Sequence, residues 1–487
     1  MKNFEHKKIF IILTIVMVVI NGSLIFNNNV WCDEAFIINA TKLDFVSLLK
    51  YIATDDMRPP LYLISIKLWT MLCGDSVAAF KLFSIVPAVL TMCVCGRLVN
   101  KFFGEKSASL FILLVGLTPS SMTKNIEITI YSWSLFWVTT SLLLAYQLYK
   151  EIDNKKISYL FIISSLGAAA THYYALVAIA FIYMVLFICL WIKGKNKRII
   201  GKIIVLSIIG YIPCLPFFLI QFFTAKKSFW IQKVDLSIFP QTMRMPFEGE
   251  NAFKFSNEFT AIIWIMIIFL LIVQIQRVKS YRNESDVFSI LSFGLFLIIP
   301  LSGYLISAVL RPLYVERYFY CVTGVLWLFI SIAINSFETK NKSNNVYYLM
   351  LSFVITIFIF AYPVIYDREY TKETQKTVDM ITASLERDDI FINNIERCAS
   401  WELEYYFPGH EYYLNHDEGI YYKDEVYDFS QLKKTAWYIC QGDFDLNEEE
   451  LKKLGISCEY IGWGNFDNYY YVSVYKLTPD KIQRGGK

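Results

Sequence analysis

The chain has 487 residues, of which 55% are hydrophobic, 17% aromatic and only 18% charged. That balance excludes an ordinary soluble globular protein, in which about a quarter of residues are charged. The net charge of +3 joins two unlike regions: residues 367–487 carry 24 acidic and 14 basic side chains, a net −10, which leaves +13 for the part before them. The basic excess lies largely in short loops and calls for no nucleic-acid partner.

Apolar segments recur near 9–27, 60–74, 78–99, 107–122, 130–149, 157–171, 173–192, 199–222, 259–276, 287–310, 314–335 and 346–366. They are long enough, or nearly so, to cross a bilayer. The first follows "MKNFEHKK" with no small-x-small cleavage site behind it and reads as an uncleaved span. Just past it stands "VWCDEAFII" (30–38), where Asp33 and Glu34 are adjacent beside hydrocarbon. Paired charges there are costly unless water or function accounts for them. A carboxylate at the mouth of an apolar cavity can take the proton of an incoming hydroxyl. A solvated loop acid or a helix cap would explain the same letters.

The run "DFVSLLKYI" (44–52) has apolar residues at helical spacing and suits a helix lying along the membrane interface. "DDMRPPLYLISIKLW" (55–69) places Asp56 and Arg58 before two prolines, where Pro suits a first helical turn. In "NIEITIYSW" (125–133), Glu127 and Tyr131 are four apart and would share a helix face. In "THYYALVA" (171–178), His172 and Tyr173 interrupt a nearly uncharged stretch, so the imidazole should face a cavity or a loop. "RPLYVERYFYCV" (311–322) holds Arg311, Glu316, Arg317 and Tyr318; arginine is the preferred two-pronged partner of phosphate. Lys226 and Lys227 could add to the same positive field.

The loop "KGKNKRIIGK" (193–202) has five basic residues and no acid, and with residues 277–286 and 340–342 it marks the cytoplasmic side. The segments 28–58, 224–258 and 311–317 and the tail are then outside. Twelve segments do not fit that orientation, which needs an odd number. A re-entrant or merged segment between 60 and 149 would reconcile it, giving eleven to thirteen spans.

The tail is a different material. Strands are expected at 389–394, 411–415, 435–440 and 469–477, from β-branched and aromatic enrichment, and a short helix at 448–455 ended by Gly455. This describes a small α/β domain, 367–487, after a membrane domain, 1–366. The ten cysteines show no zinc-site spacing and read as small buried thiols.

Taken in order, "WCDEAF", "DMRPPLYLISIKLW", "EITIY", "THYYAL" and "ERYF" resemble the polyprenyl-phosphate-sugar-dependent glycosyltransferases of the GT-C fold, in their protein O-mannosyltransferase and aminoarabinose-transferase branch. The resemblance runs over residues 1–366, and the tail resembles the small α/β domain that follows the last span in many bacterial members. It implies a donor sugar on a polyprenyl phosphate, an acceptor hydroxyl on a glycan, lipid or protein at the outer face of the cell membrane, and a single inverting displacement. It implies Asp33 as catalytic base with Glu34 in support, and Arg317 as holder of the phosphate, joined by Arg58 and Arg311. Asp56, Glu127, Tyr131, His172, Tyr173 and Tyr318 would line the cavity. Asp33 and Glu34 could also bind a divalent metal. Two positions depart from the family pattern: Arg58 replaces a histidine, and Thr129 replaces an arginine expected near the donor phosphate. A flippase for lipid-linked sugars, or a polymerase or ligase of lipid-linked glycans, is the alternative.

Overall fold

In hydrocarbon, backbone N–H and C=O groups must find partners within their own segment, which an α-helix provides. The computed structural model describes all but residues 1, 195–196, 225–230, 232–233, 250–251, 282, 310–311, 342–344, 396–397, 416–426, 443–445, 467–469 and 481–487. In it, each of the twelve apolar segments is helical over most of its length. Among the described residues, seven helices are long and apolar enough to cross a membrane: Val77–Phe103, Tyr173–Ile192, Lys197–Thr224, Asn257–Tyr281, Glu284–Val309, Glu316–Phe337 and Asn345–Thr382. An eighth crossing arises if Pro119–Ile126 and Tyr131–Lys150, which meet at 113°, are one broken span. That break lies inside the 60–149 window, and seven or eight is fewer than the eleven to thirteen spans expected, because apolar segments such as Leu61–Cys73 and Glu105–Leu117 form helices of only 13 residues. The chain is a multi-pass membrane protein.

Packing divides the chain into two compact units, and the division is not a single cut at 366. The first unit comprises Met1–Phe26, Leu49–Ala225 and Ile231–Tyr366. Its most enclosed span is Glu316–Phe337, 89% buried, with Trp327, Phe319 and Phe329 fully enclosed. Lys197–Thr224 is only 6% buried and turns apolar side chains outward, as a helix bathed in lipid does.

The second unit joins Asn27–Leu48 to the tail from Asp367 onward. Its sheet, in the order β2-β1-β3-β5-β4, is built from β1 (Ile390–Asn394), β2 (Glu411–Leu414), β3 (Ala436–Gln441), β4 (Ile456–Phe466) and β5 (Tyr470–Pro479). β1 runs parallel to β2 and β3, and β5 runs antiparallel to β3 and β4. The period of two sorts side chains to two faces: Phe391, Trp437, Ile439, Val472 and Val474 to one core, Ile390, Ile392, Tyr438, Cys440 and Leu477 to the other. Four of the strands and the helix Glu448–Lys453, with Gly455 at φ 68° behind it, agree with the expected elements.

β4, "ISCEYIGWGNF", was not among the expected strands. Its glycines serve packing. A Cβ on Gly462 would stand 2.7 Å from the Met380 sulfur, and one on Gly464 2.5 Å from Thr377 Cγ2. The helix Glu373–Thr382 therefore rests directly on the strand backbone, and Asn465 N–H donates to Thr377 Oγ1 at 2.8 Å.

Candidate active site

In the first unit, the helix Pro119–Ile126 ends before Glu127 and the next begins at Tyr131. Glu127 and Tyr131 thus flank a break and do not share one helix face, as their spacing had implied. Asn125 holds the break by donating to Asn21 Oδ1 and to the Val115 carbonyl, both at 3.1 Å. Lys124, only 3% exposed, brings the two expected residues together: its ammonium lies 2.5 Å from Glu127 Oε2 and 4.7 Å from the Tyr131 ring centroid. The chain therefore keeps a cation beside this acid although position 129 is a buried threonine. Lys124→Met should cost about 3–5 kcal/mol, the usual result of stripping a cation from a buried carboxylate. Adding Glu127→Gln should recover most of it, read as thermal stability in detergent; equal loss in the single and double variants would refute the coupling.

The second cluster forms at the Asp56–Arg58 turn. Pro60 precedes the helix Leu61–Cys73, the placement expected of the proline pair. Arg58 Nε donates to Asp56 Oδ1 at 2.6 Å, and the Asp56 carboxylate is buried. Gln221 organises the turn. Its side-chain amide donates to the carbonyls of Ile52, Asp56 and Arg58 at 2.6, 2.8 and 2.8 Å, while its own carbonyl oxygen accepts the Tyr173 hydroxyl. A polar side chain in an otherwise lipid-washed helix is retained when it has partners of this kind. Gln221→Leu leaves those carbonyls and one hydroxyl without the amide, a cost of about 1–3 kcal/mol for each group left buried and unsatisfied. It should lower the melting temperature and loosen the 52–58 turn to protease; an unchanged digestion rate would remove Gln221 from this role.

His172 links the clusters. It separates the helices Lys155–Thr171 and Tyr173–Ile192, and its Nδ1 accepts the Tyr174 N–H at 3.1 Å, capping the second helix. That bond places any ring proton of the neutral form on Nε2. Burial first, and the nearby Arg58 charge second, hold the imidazole below its ordinary pKa, so the ring is neutral. Its ring lies 6.4 Å from Tyr131 and 5.6 Å, edge-on, from Tyr318. Tyr318 belongs to the 3₁₀ segment Glu316–Val322, in which Arg317 is half-buried. Asp56, Arg58, Glu127, Tyr131, His172, Tyr173 and Tyr318 thus meet within one unit. Arg311, Lys226 and Lys227 lie outside the described residues.

Asp33 and Glu34 sit in the second unit, in the first turn of the helix Cys32–Lys42. That helix packs on Ala399–Tyr406: the Phe36 and Trp401 rings are 4.6 Å apart, and Asn39 donates to the Trp401 carbonyl at 3.0 Å. Glu34 is buried and accepts the Trp31 N–H on Oε2 at 3.3 Å, so it closes the start of its own helix. Asp33 is half-exposed and is the acid of the pair that solvent reaches. Among the described residues no group of three or more His, Cys, Asp or Glu side chains gathers as a metal site.

Lys124 and Gln221 were not singled out from the sequence. Gln221 did leave a trace, as the polar residue within "FFLIQFF".

No protein-family model matches the chain, and no curated protein sequence matches it. Solved structures do. ArnT from Cupriavidus metallidurans bound to undecaprenyl phosphate aligns with a TM-score of 0.65 at 10% identity, over 98% of this chain and 99% of that one. The same protein in the apo state gives 0.62 at 10% identity, over 96% and 97%. The oligosaccharyltransferase of Archaeoglobus fulgidus, in complex with Zn and sulfate, gives 0.52 at 10% identity, over 82% of this chain and 62% of that one. The chain therefore has the GT-C-type fold, a bundle of membrane helices followed by a small sheet domain.

Proposed function

We propose that the protein is a membrane glycosyltransferase that moves a sugar from a polyprenyl-phosphate donor to an acceptor hydroxyl at the outer face of the cell membrane. The observation that carries this is the fold match along nearly the whole chain to a protein bound to undecaprenyl phosphate. The polar cluster of buried His172 and Lys124 with half-buried Arg58 supports it. Such groups inside a membrane domain are costly and mark sites of function.

In the proposed reaction Asp33 takes the acceptor's hydroxyl proton. The oxygen forms a bond to the anomeric carbon, the carbon–oxygen bond to phosphate breaks, and polyprenyl phosphate leaves with the electron pair. One displacement inverts the anomeric centre. Arg317, with Arg58, stabilises the charge that builds on the departing phosphate. The second unit lies outside the cytoplasm in this scheme, and no step passes through a metal ion.

The test is mass spectrometry of lipids that co-purify with the protein, followed by titration of polyprenyl phosphate into protein reconstituted in nanodiscs. Retained polyprenyl phosphate and saturable binding are expected. Absence of both would overturn the proposal.

A further inference from the structure

We infer that Cys32 and Cys398 close a disulfide in the mature protein, tying the helix that carries the acid pair to the sheet domain. Both stand as free thiols in the structure, and they are in hydrogen-bond contact. Each is held by its surroundings. Cys32 opens the helix Cys32–Lys42 and Cys398 immediately precedes Ala399–Tyr406. On one side Val30 N–H donates to the Tyr406 hydroxyl at 3.0 Å; on the other are the Phe36–Trp401 and Asn39–Trp401 contacts. With both backbones held, bond formation brings the two sulfurs from contact to about 2.05 Å. Cys398 would give up its present 2.9 Å contact with the Tyr470 hydroxyl.

The chemistry needs an external disulfide oxidant, which an exoplasmic compartment provides. Cys398, the less buried of the two, attacks the oxidant's disulfide as thiolate and releases one thiol. Cys32 then attacks the Cys398 sulfur of the mixed disulfide and releases the second. Two protein thiols are oxidised, one oxidant disulfide is reduced to two thiols, and the two protons the protein gives up end on those thiols. The Cys398 contact and burial push the Cys32 thiol well above its ordinary pKa. Asp33 is the next residue along, so the bond would also restrain the proposed base.

This inference rests on the proposed placement of the second unit outside the cytoplasm, and two arms separate the claims. In the first, purified full-length protein is treated with oxidised glutathione and mapped by peptides without reductant. A cross-linked peptide pair containing Cys32 and Cys398 is expected, lost with reductant and in Cys398→Ala, while the exposed Cys73 still alkylates. Recovery of both residues as free thiols, or Cys32 joined elsewhere, overturns the inference. In the second, cells are acid-quenched and alkylated before lysis, and the bond is expected to be present already. Free thiols there, after closure in the first arm, also overturn it. Labelling of Cys458 on intact cells with a membrane-impermeant maleimide then tells the causes apart: a labelled tail leaves the outside placement standing, and an unlabelled one removes it.

Discussion

Asp33→Asn should lower sugar transfer by roughly 10²–10⁴-fold, the range a positioned general base contributes, with no change in membrane insertion or melting temperature. The amide keeps the volume of the carboxylate but cannot hold the hydroxyl proton. The surroundings explain why the fold should tolerate it. Asp33 is half-exposed, and the closure of its helix falls to Glu34, through the bond from Trp31 N–H. Glu34→Gln retains an oxygen to accept that N–H and should cost far less activity than Asp33→Asn. The measurement is single-turnover transfer from a lipid-linked donor in nanodiscs, with thermal unfolding of each variant in parallel. Full activity in Asp33→Asn takes Asp33 out of the mechanism; a large loss in Glu34→Gln beside a small one in Asp33→Asn reverses the two roles.

Arg317→Ala should weaken polyprenyl-phosphate binding by roughly 10–100-fold, since a hydrogen bond to a charged group contributes about 1.5–3 kcal/mol. The protein should still fold, because Phe319, Tyr320 and Cys321, which follow in the same 3₁₀ segment, are fully enclosed and anchor it. Arg317→Lys restores charge but not the planar fork that matches phosphate, so it should recover only part of the affinity. Equilibrium titration with polyprenyl phosphate, compared with the same titration on Arg58→Ala, decides the matter. Unchanged affinity in Arg317→Ala would refute the phosphate role, and a loss confined to Arg58→Ala would transfer it to the earlier turn.

Several of the site residues were legible because they break a rule that hydrocarbon imposes. His172 in a nearly uncharged stretch, Arg58 ahead of two prolines and Arg317 at the edge of a span each stand out against their neighbours. Lys124 did not, since it lies in the polar-looking "TPSSMTKNIE" and only its 3% exposure beside Glu127 sets it apart. Period could not place Glu127 and Tyr131 either: the four-residue interval is common to a continuous helix and to the 113° break that the chain makes there.

The letters alone determined the membrane class, the helical character of the apolar segments, the acidic sheet domain and most of its strands. Each of these follows from local patterning against a solvent, whether lipid or water. The tertiary structure decided what depends on distant partners. It set the membership of Cys32–Lys42 in the tail's unit, the glycine-bearing strand Ile456–Phe466 beneath a helix, and the hold of Gln221 on a turn more than 160 residues earlier in the chain. A buried amide is satisfied only by the groups that folding brings to it, and one chain position carries no record of which groups those are.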